Sequence, residues 1–179
     1  MNIPYEGRVQ ITQKFTKGKH DGIDIVGIDS KQVRSTVNGT VEYAGWQNPD
    51  DHSEGFGYYV CIRFVTGCKY RYAYFGHLDK AYVKTGDKVS ITQTIGVEGS
   101  TGNSTGPHLH YEVRDGFFKG ANVVDINEFS GIPNNEGAIY DDGWRATNTD
   151  QKETANHIIY LNNCKITIDL SKNKIDISW

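Results

Sequence analysis

The sequence predicts a nearly all-β chain. From Arg8 to about Arg114 it consists of short alternating apolar and polar runs separated by Gly, Asn and Asp. No window sustains the i, i+3, i+4, i+7 apolar stripe of an amphipathic helix. Twenty Gly and eleven Tyr against four Pro and one Met favour many turns and aromatic-rich strands.

The elements follow in order. Asn38-Gly39 is a hairpin dipeptide, and Val41–Ala44 after it reads as a strand. Tyr58–Val65 and Cys68–Phe75 flank Thr66-Gly67 and read as a hairpin with its turn at those two residues. Thr94–Val97 and His108–Arg114 read as strands on either side of a Gly-rich loop. Asp125–Phe129 has room for one helical turn. Ser130–Thr149, rich in Gly, Asn and Asp, reads as an irregular connection. His157–Leu161, Cys164–Leu170 and Lys174–Trp179 then form a predicted three-stranded meander. The expected organisation is a main domain over 1–133 and a C-terminal β extension over 134–179, the extension being marginal for stability alone.

With 179 residues the chain is long enough to bury a core without disulfides. A net charge of −3 disfavours binding to nucleic acid or other polyanions. No apolar run reaches the ~18–20 residues of a membrane span. The N-terminal run MNIPYEGRVQITQKF lacks an apolar signal core, so the expectation is a route other than the usual export signal, or a piece of a longer protein. Cys61, Cys68 and Cys164 are odd in number and lack Cys-x-x-Cys spacing. A turn at Thr66-Gly67 would set Cys61 opposite Tyr72 and leave it badly placed to bond Cys68. Three unbonded thiols are expected.

The chemistry lies in the histidines. Of the six, His52 and His157 lack ligand-like neighbours and are read as solvated or merely hydrogen-bonded. The other four fall into His20-Asp21-Gly22-Ile23-Asp24, Tyr74-Phe75-Gly76-His77-Leu78 and Gly106-Pro107-His108-Leu109-His110-Tyr111-Glu112-Val113. On a strand, i and i+2 share a face. His108 and His110 therefore face one way while Leu109 and Tyr111 face the other, and Asp24 opposes Ile23 and Ile25. His and carboxylate donors without a thiolate suit Zn²⁺ acting on a water, with three ligands and an open position. Glu112 shares the His110 face by spacing and could stand behind that ligand, with a solvated side chain as the favoured reading.

These motifs, with Asn38-Gly39-Thr40-Val41, Gly86-Asp87-Lys88-Val89 and the run Gln93–Arg114, resemble the lysostaphin/LytM-type peptidoglycan endopeptidases. The likeness runs in the family's order over roughly residues 8–115. It implies a compact antiparallel β-sheet metallopeptidase domain with an open groove. It implies one zinc held by His20, Asp24 and His110, the first motif's His and Asp with the second His of His-x-His. It implies His77 and His108 as the catalytic histidines. With no His-Glu-x-x-His glutamate, a histidine must serve as base; His108 is favoured, with His77 as transition-state stabiliser or proton shuttle.

The resemblance implies cleavage of a peptide bond in a peptidoglycan cross-bridge or stem peptide, in an extracytoplasmic setting that is cell-wall, secreted or virion-associated. It leaves room for a larger lysin or phage tail assembly as carrier. The family also holds degenerate, non-catalytic wall-binding or hydrolase-regulating modules, which typically lack a ligand; none is missing here. A biotinyl-type carrier domain is disfavoured because no presented lysine signature is evident. The loops Trp46–Gly57 and Gly99–Gly106 are expected to wall the groove, with Tyr74 or Trp46 lining it.

Overall fold

The computed structural model describes residues 3–117, 120–126, 130 and 132–140, and the strands at 156–161, 164–169 and 174–178. The chain divides into two compact units, one of residues 1–65 and 70–142, the other of 66–69 and 143–179.

Two sheets build the larger unit. The strands are β1 (Val9–Gln13), β2 (Ile23–Gly27), β3 (Gln32–Arg34), β4 (Gly39–Trp46), β5 (Tyr58–Thr66), β6 (Lys69–Gly76), β7 (Leu78–Ala81), β8 (Lys88–Val89), β9 (Thr94–Glu98), β10 (Leu109–Arg114), β11 (Val123–Val124) and β12 (Ile139–Tyr140). The main sheet has the order β12-β1-β2-β10-β6-β5-β4-β8, with β11 also paired to β10. A second, three-stranded sheet has the order β3-β9-β7. Every pairing with a resolved register is antiparallel.

Alternation sorts the main sheet into two faces. Ile23 and Ile25 of β2, Leu109, Tyr111 and Val113 of β10, Ala73 and Phe75 of β6, and Val60 and Ile62 of β5 are all fully buried. They pack in one core with Val33, Leu78 and Ile95 from the smaller sheet. The opposite face carries a separate aromatic cluster of Tyr59, Cys61 and Tyr74, flanked by Tyr43, Phe56 and Tyr72. Polar residues of β2 and β10 share that face.

A buried carboxylate ties the N-terminal segment to both sheets. Glu98 at the end of β9 accepts from the Tyr5 hydroxyl and from the Gly27 amide, each at 2.8 Å, and pairs with Lys31 at 2.7 Å.

Two details differ from the sequence reading. The β5–β6 turn residues are Gly67 and Cys68, one position later than Thr66-Gly67. Gly67 has φ +61°, the left-handed conformation that the first residue of a two-residue hairpin loop requires. That shift places Cys61 beside Tyr74. Second, β12 lies beyond residue 133, so the larger unit draws a short strand from the segment expected to form the extension. It covers the edge of β1 through Val9–Tyr140 and Gln10–Ile139 pairing. The helical turn expected near 125–129 has Ile126 and Ser130 helical, with Ser130 Oγ donating to the Ile126 carbonyl at 2.6 Å, while 127–129 lie outside the described residues.

In the second unit, β13 (Asn156–Leu161), β14 (Cys164–Asp169) and β15 (Lys174–Ser178) form an antiparallel meander. Residues 141–149 of the expected connection lie outside the described residues.

Candidate metal centre

Strand register brings the predicted residues together. His110 on β10 pairs directly with Asp24 on β2 and with Gly76 on β6. His77 follows Gly76, and His108 lies just before β10 in a bridge to Gly99. His20 is held ahead of β2 by a bridge to Thr16. Because Leu109, Tyr111, Ile23 and Ile25 all enter the core, the residues between them must face the groove.

His20 Nε2, Asp24 Oδ1 and His110 Nδ1 converge. The separations are 3.2 Å between His20 and Asp24, 2.9 Å between His110 and Asp24, and 3.2 Å between the two imidazoles. Among the described residues these three form a group that could hold a metal ion. Two nitrogens and a carboxylate oxygen fit zinc or a similar divalent ion, and three ligands leave room for a further one.

The charges in this cluster are strongly coupled. Burial opposes a charged Asp24, yet hydrogen bonds from His110 and His20 hold its carboxyl well below the usual carboxylate range. Burial also opposes a charged His110, but Asp24 and then Glu112 outweigh it and raise this imidazole to about 9. His20 is raised as well: burial works against it, and its bond to Asp24 prevails.

His77 and His108 sit together beside the cluster, ring centroids 4.7 Å apart. His77 Nδ1 lies 2.7 Å from the Thr101 carbonyl and His108 Nδ1 lies 2.8 Å from the Gly106 carbonyl. A carbonyl can only accept, so both rings carry their proton on Nδ1 and keep a lone pair on Nε2. His20 Nδ1 likewise donates to the Lys14 carbonyl at 2.9 Å, which leaves its Nε2 for Asp24 or a metal. Burial pushes His77 down to about 4, so it is neutral at ordinary pH. His108 Nε2 stands 3.7 Å from Asp24 Oδ2. His77 also has φ +62°, strained for a non-glycine residue, and its amide is fixed by the Phe56 carbonyl at 2.7 Å.

A cavity of about 720 Å³ opens over these residues. The two expected loops do wall it, through Gln47, Gly55 and Phe56 on one and Asn103, Ser104 and Thr105 on the other. They are joined: Gly102 N donates to His52 O, Asn103 N to Gly55 O, and Tyr58 N to Thr101 Oγ1. Gly57 and Gly102 meet where a β-carbon on either would stand 2.2–2.3 Å from the other's backbone nitrogen. Tyr74 lines the cavity as expected, with Tyr59, Phe117 and Arg114. Trp46 does not; its ring stacks on the exposed His52 at 3.5 Å and meets Tyr58 edge-on.

One expectation is overturned. Glu112, read as solvated, is 1% exposed. Its Oε2 lies 3.2 Å from His110 Nε2, and its Oε1 accepts from Arg114 Nε. Sequence reasoning missed Arg114 itself, although continuing the two-residue spacing from His110 through Glu112 would have found it. The guanidinium lies over the rings of Phe56 and Tyr74, 5.6 and 5.2 Å from their centroids.

A family model described as peptidase family M23 matches residues 18–125, a span that contains all five predicted site residues. The chain belongs to peptidase family M23. Among M23 relatives, it is 35% identical over 108 residues to the peptidoglycan DD-endopeptidase ShyC of Vibrio cholerae, covering 60% of this chain and 23% of ShyC. Its fold matches the catalytic domain of the prophage-encoded M23 protein EnpA from Enterococcus faecalis, with a TM-score of 0.55, 27% identity, 73% of this chain and 95% of that one. The catalytic domain of the antimicrobial peptidase lysostaphin from Staphylococcus simulans matches with a TM-score of 0.51 and 28% identity, covering 67% and 87%. The chain spans less than a third of the length of the curated relatives it matches first.

Proposed function

We propose that this M23 chain is a zinc metalloendopeptidase that hydrolyses a peptide bond in the cross-bridge or stem peptide of bacterial peptidoglycan, outside the cytoplasm. The observation that carries the reading is the convergence of His20 Nε2, Asp24 Oδ1 and His110 Nδ1 at 2.9–3.2 Å beside two further imidazoles in one cavity. Endopeptidase relatives that act on peptidoglycan supply the substrate class.

Zinc held by those three residues would supply Lewis acidity, polarising the peptide carbonyl and lowering the pKa of water toward ~7. The chain's own groups handle the protons. His108 Nε2 takes the proton of the attacking water, and the resulting imidazolium faces the Asp24 carboxylate. The His108 imidazolium then returns that proton to the departing amine, with neutral His77 beside it as the shuttle. Phe56, Tyr59, Tyr74 and Phe117 offer apolar surface to the peptide between the two joined loops.

The test combines metal analysis with digestion of purified cell walls of several chemotypes and of defined muropeptides. The expected result is one zinc per chain and fragment masses showing amide hydrolysis. A zinc-loaded protein that cuts no wall type would overturn the reading.

A further inference from the structure

We propose that Glu112 is a positioning residue for the metal: it dictates which nitrogen of His110 faces the ion. The inference rests on the zinc reading above and adds a residue to it. His110 would ligate through Nδ1, the atom that meets Asp24 Oδ1 and His20 Nε2. A neutral imidazole has one lone pair, so Nδ1 can ligate only if the proton sits on Nε2. That nitrogen points into a pocket where Glu112 Oε2 waits at 3.2 Å. An ionised carboxylate accepts and never donates, so when a metal displaces the proton that Nδ1 shares with Asp24, the remaining ring proton is held on the inner nitrogen.

The carboxylate is itself held. Glu112 is 1% exposed and uses its two oxygens for different partners, Oε2 for His110 and Oε1 for Arg114 Nε. Arg114 neutralises the buried charge and lies over Phe56 and Tyr74. His110, Glu112 and Arg114 occupy i, i+2 and i+4 of β10, so one strand face carries ligand, acceptor and counter-ion in line. On the neighbouring strand Gly76 pairs with His110, and a β-carbon there would crowd Phe56 Cδ1 at 3.1 Å.

The Glu112 carboxylate has two oxygens, whereas an amide has one. Glu112→Gln therefore sets His110 and Arg114 competing for a single acceptor. Glu112→Ala removes it altogether.

Zinc dissociation constants by chelator competition test the proposal, with circular dichroism and thermal unfolding of each variant as the folding control. Glu112→Ala should weaken zinc about 10–100-fold, the range for lost outer partners of a ligating histidine. Glu112→Gln should fall between it and wild type. Adding Arg114→Met to Glu112→Gln should recover affinity, because the amide oxygen then has only His110 to serve; a purely structural contact would add further loss instead. If Glu112→Ala does not fold, the comparison of Glu112→Gln with the double variant decides. Wild-type affinity in Glu112→Ala, or weaker binding in the double variant than in Glu112→Gln, would overturn this inference alone. A wild-type protein that binds no zinc would overturn it together with the metallopeptidase reading.

Discussion

Gly22 packs its α-carbon against the His110 imidazole so closely that a β-carbon would stand 2.6 Å from Nε2 and 2.7 Å from Cε1, with the Tyr111 carbonyl oxygen equally near at 2.7 Å. The backbone oxygen cannot swing aside, so the ring must move. Gly22→Ala is expected to weaken zinc binding by at least roughly tenfold and to cost about 1–3 kcal/mol of stability through overpacking. Chelator competition and denaturant unfolding measure the two effects. Unchanged zinc affinity would show that the ring tolerates displacement.

The two histidines of the His-x-His pair should separate experimentally. His110→Ala removes a member of the converging triad and should abolish both stoichiometric zinc and wall hydrolysis. His108 stands outside the triad, its Nε2 3.7 Å from Asp24 Oδ2. His108→Ala should keep most of the metal while turnover falls by about 10²–10⁴, the range for losing a general base. Atomic absorption on the dialysed variants, paired with turbidity assays, reads both.

Zinc entry should expel a proton. His110 is raised to about 9, so at pH 7 the ring carries a charge that a cation must displace. Apparent zinc affinity should therefore climb with pH and level off near 9. Titration calorimetry in buffers of different ionisation enthalpy should show proton release that shrinks toward the same pH. His77 has the opposite sign. Its folded value is depressed to about 4, so the stability it contributes is complete above the ordinary histidine value and is lost as pH falls from about 6.5 to 4. His77→Gln should flatten the acid limb of the stability profile in that window.

Glu98 predicts a stability effect remote from the metal. Its removal leaves the Tyr5 hydroxyl and the Gly27 amide without their buried acceptor. Glu98→Ala should cost on the order of 3 kcal/mol, measured by urea unfolding, with zinc affinity preserved. A coupled loss of metal would mean that this network reaches the site through β2.

Much of the architecture was legible because the sheet writes its two faces into alternate letters. Ile23-Asp24-Ile25 and His108-Leu109-His110-Tyr111 declare core and groove from spacing alone, and the Asn38-Gly39 dipeptide marks a strand start. What was not legible depended on partners distant in sequence. Glu112 looks like any polar residue on a strand until Arg114 and His110 are placed beside it. Trp46 is diverted from the groove by stacking on His52, a loop contact without periodic signal. The β5–β6 turn slipped by one residue because either Thr66-Gly67 or Gly67-Cys68 can occupy a two-residue loop, and the pairing that extends β5 to Thr66 and starts β6 at Lys69 decides between them. Pairing of β12 with β1 joins segments more than a hundred positions apart, which no local pattern encodes.

The division of labour along β10 has an evolutionary corollary. Because odd positions feed the core and even positions feed the chemistry, point replacement can tune one property while sparing the other. Loss or gain of a single codon inside this strand would exchange the two sets at once, driving imidazole and carboxylate into hydrocarbon and leucine and tyrosine into solvent. Length variation among descendants of this gene should accordingly be confined to the surrounding loops.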